Sequence, residues 1–229
     1  MKKFLVLAFV AVMMMSFAGG LQAAILDFSV ISPTSGTISY AGGDNPLVGT
    51  DISVDLVAGI DTPLNTGVNV ALSGALLNFT TGNLTASTSN TWTFGGGESS
   101  SIILTGGVDL DGGGIGAGDI PEGTTLFTGT FGSATVLLLS GEFRIAGSSF
   151  GDTKDADLAA YFGLGDVVDW SGNLNISFNA SGSPPDGFTS SEILSGDITN
   201  TPVPEPGTMM LLGSGLVGLA GWGRKKFRK

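Results

Sequence analysis

From residue 49 to 57 the chain reads Gly-Thr-Asp-Ile-Ser-Val-Asp-Leu-Val, so that Ile52, Val54 and Leu56 alternate with Ser53 and Asp55. A period of two places the aliphatic side chains on one face of an extended segment and the polar ones on the other, the pattern of a strand with one face buried. The same rhythm returns at residues 26–31, 68–72, 76–80, 91–94, 101–104, 125–131, 135–139, 142–146, 174–178 and 193–198. Between these segments lie Ala41-Gly42-Gly43-Asp44-Asn45-Pro46, Thr81-Gly82-Asn83 and Ser183-Pro184-Pro185-Asp186-Gly187. Their residue types tolerate tight turns or a positive φ. Many short strands punctuated by such turns predict an all-β fold, an antiparallel β-sandwich or jelly-roll.

One stretch departs from the pattern. After Asp152 and Thr153, which could cap a helix, residues 154–162 set Ala156, Ala159 and Ala160 beside Leu158, and Gly163 supplies a stop. A single short helix is expected there. No repeat of fixed period is present, which argues against a solenoid.

Both ends differ in character from this body. Lys2 and Lys3 precede an apolar run from Phe4 to Phe17, broken only by Ser16, and small residues follow through Ala24. That is the layout of a secretory signal peptide, expected over residues 1–23. The run of 14 residues is shorter than the roughly 20 that span a bilayer as a helix. At the other end, the uncharged, Leu- and Gly-rich segment 209–222 stops against Arg224, Lys225, Lys226, Arg228 and Lys229. Even counted from Pro206 to Trp222 the apolar stretch has 17 residues, about 25 Å of helix against a hydrocarbon core of about 30 Å. By the positive-inside tendency the basic cluster stays in the cytoplasm and the body outside. Between lies the β domain, residues 24–198, followed by a linker, residues 199–203.

Residues 24–203 carry 19 acidic side chains and two basic ones, Arg144 and Lys154, for a formal charge of −17. Such a surface repels phosphate backbones and attracts divalent cations, so nucleic acid is excluded as a partner. The chain has no cysteine and no histidine. Disulfides, thiol nucleophiles, the commonest general base and the usual zinc and copper ligands are thereby removed. Glycine accounts for 38 of the 229 residues, well above the usual share of about 7 %. Apolar clusters such as Val136-Leu137-Leu138-Leu139 nevertheless argue for a packed core rather than disorder.

The stretch Val203-Pro204-Glu205-Pro206, the apolar segment 209–222 and the basic cluster stand in a fixed order. Together they resemble the PEP-CTERM sorting signal of exported proteins in Gram-negative bacteria, here spanning residues 204–229. The resemblance implies recognition by an exosortase, an integral inner-membrane protease-transpeptidase that processes the tail, in species that make extracellular polysaccharide. Elementary chemistry agrees: two prolines fix φ and hold the segment extended, which leaves its backbone accessible to a protease at the membrane face. The body is also similar in style to a set of PEP-CTERM proteins, with its Leu-Asp-Phe-Ser start, Gly-rich middle and helix containing Asp-Thr-Lys-Asp-Ala. That similarity bears on fold and implies no activity.

Two acidic groups are candidates for calcium, because hard cations take several oxygens from flexible loops. One is Asp109, Asp111 and Asp119, with Glu122, on a Gly-rich loop; the other is Asp152, Asp155 and Asp157. In the first, Gly113 to Asp119 misses the Gly-Gly-x-Gly-x-Asp calcium unit by one residue. Solvated loop aspartates and a helix start favoured by negative charge account for both groups without an ion. Trp92, Trp170, Tyr40 and Tyr161 could stack on sugars or could belong to the core. The expectation is an exported, non-enzymatic envelope or extracellular-matrix protein, catalytic residues none. The alternatives are a carbohydrate-binding module, calcium-assisted or not, and a secreted glycan hydrolase working through a carboxylate pair.

Overall fold

The period-two pattern forms eleven strands and one helix within residues 23–203, the part of the chain described by the computed structural model. In order these are β1 (Ile25–Val30), β2 (Thr37–Tyr40), β3 (Pro46–Ser53), β4 (Leu56–Ile60), β5 (Asn69–Ser87) and β6 (Thr91–Gly95). They continue as β7 (Ser101–Val108), β8 (Ile120–Leu139), β9 (Glu142–Lys154), α1 (Ala156–Tyr161), β10 (Trp170–Ala180) and β11 (Phe188–Pro202). Every pairing between these strands is antiparallel. The chain is the all-β, sandwich-like body with one short helix that the alternation predicts. The expected signal helix and C-terminal hydrophobic helix lie outside the described residues.

The sheet closes on itself twice. From β1, hydrogen bonding passes to β4, β5, β7, β8, β9, β10 and β11, and β11 pairs with β1 again. At the opposite ends of the long strands a second circuit runs through β2, β3, β5, β6, β8, β9, β10 and β11 back to β2. β5 and β8, of 19 and 20 residues, serve both circuits because each bends. Their registers shift between Ser73 and Leu76, around Gly74 with φ +56°, and between Phe131 and Ser133. Extra residues of this kind re-aim a strand and increase its twist.

Alternate residues point into the space so enclosed. Leu26 and Phe28 of β1, Leu77 of β5, Phe127 of β8 and Leu174, Ile176 and Phe178 of β10 are all at most 1 % exposed. Aromatic rings fill the end bounded by β6. Trp92 stacks on Phe143 at 5.4 Å and meets Phe188 edge-on at 5.0 Å between centroids, arrangements that add to plain area burial.

Several local expectations give way to packing. The alternation read from Ile52 to Leu56 slips by one residue, for Val57 is fully buried while Leu56 is only partly so. The slip occurs at Asp55, whose amide donates to Ser29 O at 2.9 Å and whose carboxylate accepts from Ile31 N at 2.8 Å, ending β3 and starting β4. Segments 68–72 and 76–80 merge into β5, and 125–131 and 135–139 into β8. The helix is shorter than residues 154–162 and is capped by Asp155, which accepts from Asp157 N and Leu158 N at 3.0 Å each. Asp152 and Thr153 do not cap it; they belong to β9. Residues 199–202, expected as linker, continue β11, where Thr199 and Asn200 pair with both β1 and β10. A polar Thr-Asn-Thr run reads as a loop until its neighbours supply the partners.

Thr81-Gly82-Asn83 is no turn but the middle of β5. Thr81 is buried, and its hydroxyl accepts from Leu47 N at 2.9 Å. At Gly82 a Cβ would lie 2.8 Å from Gly95 C and from Gly96 O, so the glycine serves a close backbone approach. Gly82→Ala is therefore expected to destabilise the protein by about 1–3 kcal/mol, read by urea denaturation. A loss within about 0.5 kcal/mol, the usual range for surface sites, would contradict that close packing.

Candidate functional site

The loop between β7 and β8 gathers the first acidic group. Carboxylate oxygens of Asp109, Asp111 and Asp119 lie within 4.8 Å of one another. The loop's own backbone compensates their charge: Asp109 accepts from Gly112 N at 2.7 Å and Gly114 N at 2.8 Å, and Asp111 from Gly113 N at 2.8 Å. Asp119 accepts from Leu110 N and Gly116 N, both at 2.8 Å. Amide donors favour the charged form, and the Gly114 amide above all, with that of Gly112, holds the Asp109 carboxyl below its ordinary value. The arrangement could present several oxygens to one hard cation, with main-chain or solvent oxygens completing the shell. It is equally complete as a self-bonded acidic loop. Glu122 faces elsewhere, its carboxylate accepting a hydrogen bond from Ser73 Oγ.

The second group is not brought together. Asp155 and Asp157 sit at the start of α1, whereas Asp152 points inward from β9. There its side chain is 0 % exposed and forms an ion pair with Lys154, itself 1 % exposed. Asn200 Nδ2 donates to Asp152 Oδ1 at 3.4 Å. The Lys154 ammonium lies 4.5 Å from the Phe127 ring and 5.1 Å from that of Trp170. Burial lowers its pKa to about 6, since a low dielectric disfavours the charged amine. Sequence reasoning assigned Asp152 to a solvated helix start, and nothing local in the sequence marks Lys154 or Asn200 as interior.

Three of the four aromatic candidates belong to the core: Tyr40, Trp92 and Trp170 are each at most 2 % exposed. Tyr40 Oη donates to Gly43 O at 2.5 Å and Trp92 Nε1 to Asp186 O at 3.0 Å. Tyr161 borders a groove of about 360 Å³, together with Val68, Asn69, Val70, Asp109 and Asp111, while Trp170, though buried, forms part of the floor of two shallower depressions. On the outer face, Asp27 and Asp197 lie diagonally across the β1–β11 pairing. Burial, and secondarily the charge of Asp197, raise the Asp27 carboxyl above its ordinary value.

β11 ends at Pro202, and Val203 N donates to Asp169 O at 2.9 Å. Pro204, Glu205, Pro206 and the basic cluster from Arg224 to Lys229 lie outside the described residues, as does the signal segment up to residue 22. In comparison with known families, residues 202–225 match the model of the PEP-CTERM protein-sorting motif. The chain carries a PEP-CTERM sorting signal. Such a signal marks an exported protein that an exosortase recognises and processes at the membrane. No curated protein and no solved structure matches the chain. The PEP-CTERM signal begins within the last strand of the body, for the match starts at Pro202, the residue that ends β11. Among the described residues no helix is long and apolar enough to cross a membrane.

The acidic loop makes a pH-dependent prediction. A carboxyl whose folded pKa is depressed stabilises the fold above its unfolded value and loses that contribution as pH falls through the folded one. The Gly112 and Gly114 amide resonances should therefore titrate with a midpoint below 3.8, the ordinary Asp109 value. Asp109→Asn should abolish that transition, and a midpoint at or above the ordinary value would contradict the amide assignment.

Proposed function

We propose that this PEP-CTERM protein is a non-enzymatic component of the cell envelope or extracellular polysaccharide layer. It would be exported by the Sec route, held briefly in the inner membrane by its tail, then processed and released or attached outside. The reading rests chiefly on one observation: a sorting signal follows without a spacer on a strand of a closed, acidic β body. The chain lacks the histidine and cysteine on which much hydrolytic and metal chemistry depends. A body of formal charge −17 suits a hydrated matrix in which divalent cations bridge acidic groups.

A second reading, a carbohydrate-binding module assisted by calcium, is favoured by the groove in which Tyr161 borders Asp109 and Asp111. A half-buried ring beside acidic oxygens is a chemistry suited to sugars. On that reading Tyr161→Ala would weaken retention on the host polysaccharide at least several-fold, and chelation would lower the melting temperature. Unchanged retention with no chelator effect would remove it.

The principal reading is tested by peptide mapping of the protein recovered separately from membranes and from extracellular polysaccharide of the native host. The matrix form is expected to end near Pro204-Glu205-Pro206 and to lack residues 209–229. An intact tail found in membranes alone, with no processed form outside, would make the protein an anchored surface protein instead.

A further inference from the structure

Where β9 ends, three polar side chains meet inside the sandwich. Lys154 Nζ lies against Asp152 Oδ2, and Asn200 Nδ2 donates to Asp152 Oδ1 at 3.4 Å. An amine and a carboxamide thus occupy the two oxygens of one carboxylate. Asn200 is 0 % exposed. Its Oδ1 and the indole Nε1 of Trp170 make no hydrogen bond among the described residues. Leaving buried polar atoms unpaired is costly, and a buried ion pair is seldom a net source of stability. As a stabilising contact the cluster is poorly satisfied; as a set of reacting groups it is complete.

The strand between them leaves the way open. β10 separates β9 from β11, and opposite both Phe150 and Asn200 it places Gly172. A Cβ there would collide with the Phe150 ring and with Asn200 Nδ2. With no side chain at that point, Asn200 reaches Asp152 diagonally across β10. Burial also lowers the Lys154 pKa to about 6, which leaves a lone pair on the amine at neutral pH.

We propose that Lys154 and Asn200 become joined by an intramolecular isopeptide bond, with Asp152 carrying protons between them. Lys154 Nζ attacks Asn200 Cγ while an amine proton passes to Asp152 Oδ2. The bond from Cγ to Nδ2 then breaks, Nδ2 takes that same proton from the Asp152 carboxyl, and ammonia leaves. One amide replaces another, Asp152 ends as it began, and no oxidant or reductant is needed. The unpartnered indole N–H of Trp170 is a donor in the same enclosure for charge developing on Asn200 Oδ1. Desolvated groups held in place are what such a condensation requires. The product would tie β9 to β11 covalently in a protein without cysteine, a constraint on the unfolded chain like that of a disulfide.

Between the signal peptide and the tail, trypsin can cut only after Arg144 and Lys154. A Lys154 whose amine is acylated is no longer a site. Tryptic mapping of the full-length chain should therefore give a fragment that begins at Ile145, runs uncut past Asn200 and is lighter than its sequence by one ammonia. Digestion at acidic residues should then yield the Lys154 and Asn200 peptides joined as one species. Asp152→Asn, nearly the same in shape, should restore cleavage after Lys154 and the full mass. Full mass with normal cleavage in the unmodified protein would overturn the proposal. So would loss of ammonia without a joined pair, or loss of water with Lys154 linked to Asp152. If the Asp152→Asn chain does not fold, the mass of the unmodified protein still decides the matter.

Discussion

The fold depends on closure. A β-sheet exposes unpaired N–H and C=O groups along any free edge, and in an exported protein such an edge would recruit further chains. Here β1 and β11, the first and last strands, pair with each other, and β2 meets β11 to complete the second circuit. The two long bent strands make this possible, since each spans both circuits and allows a single sheet to form both layers of the sandwich. Glycine abundance follows from the same constraint. A Cβ would collide with a neighbouring backbone at Gly82 and with the Phe150 and Asn200 side chains at Gly172.

Inside this closed sheet, charge is handled in two opposite ways. On the surface loop, three aspartates are bonded by amides of their own segment and remain hydrated. In the core, Asp152, Lys154 and Asn200 have only each other and aromatic walls. The first arrangement is local and tolerant, requiring little of the rest of the fold. The second exists only once β9, β10 and β11 are in register, so it reports on the completed structure. Lys154 is one of only two basic residues in the body, and it is the buried one, which leaves the surface almost wholly acidic.

What the sequence reveals is what repeats. Alternation over several residues identifies strands such as β1, β6, β7 and β10, and the ordered tail elements identify the sorting signal. Single residues whose meaning is set by distant neighbours are not legible. Gly82 has the composition of a turn, Asn200 that of a linker and Asp152 that of a helix cap. Gly82 is instead fixed by the close approach of the end of the next strand, β6, and Asn200 and Asp152 by strands far away in sequence that no local window contains. The phase slip at Asp55 is hidden for the same reason, because it is caused by hydrogen bonds to β1 and the residue after it. Of the acidic candidates, Asp109, Asp111 and Asp119 were legible as a group because one short loop carries them all. Asp152 was not, because alternation along β9 turns it away from Asp155 and Asp157.

The pairing of β1 with β11 also governs timing. The strand made first must wait for the strand made last, and almost the whole body separates them. Until β11 has been made, β1 and β2 each lack one partner, and neither circuit can close. Folding is completed only once residue 202 is in place. The sorting match starts at Pro202, so the residue that completes the last strand is also the first of the processing signal.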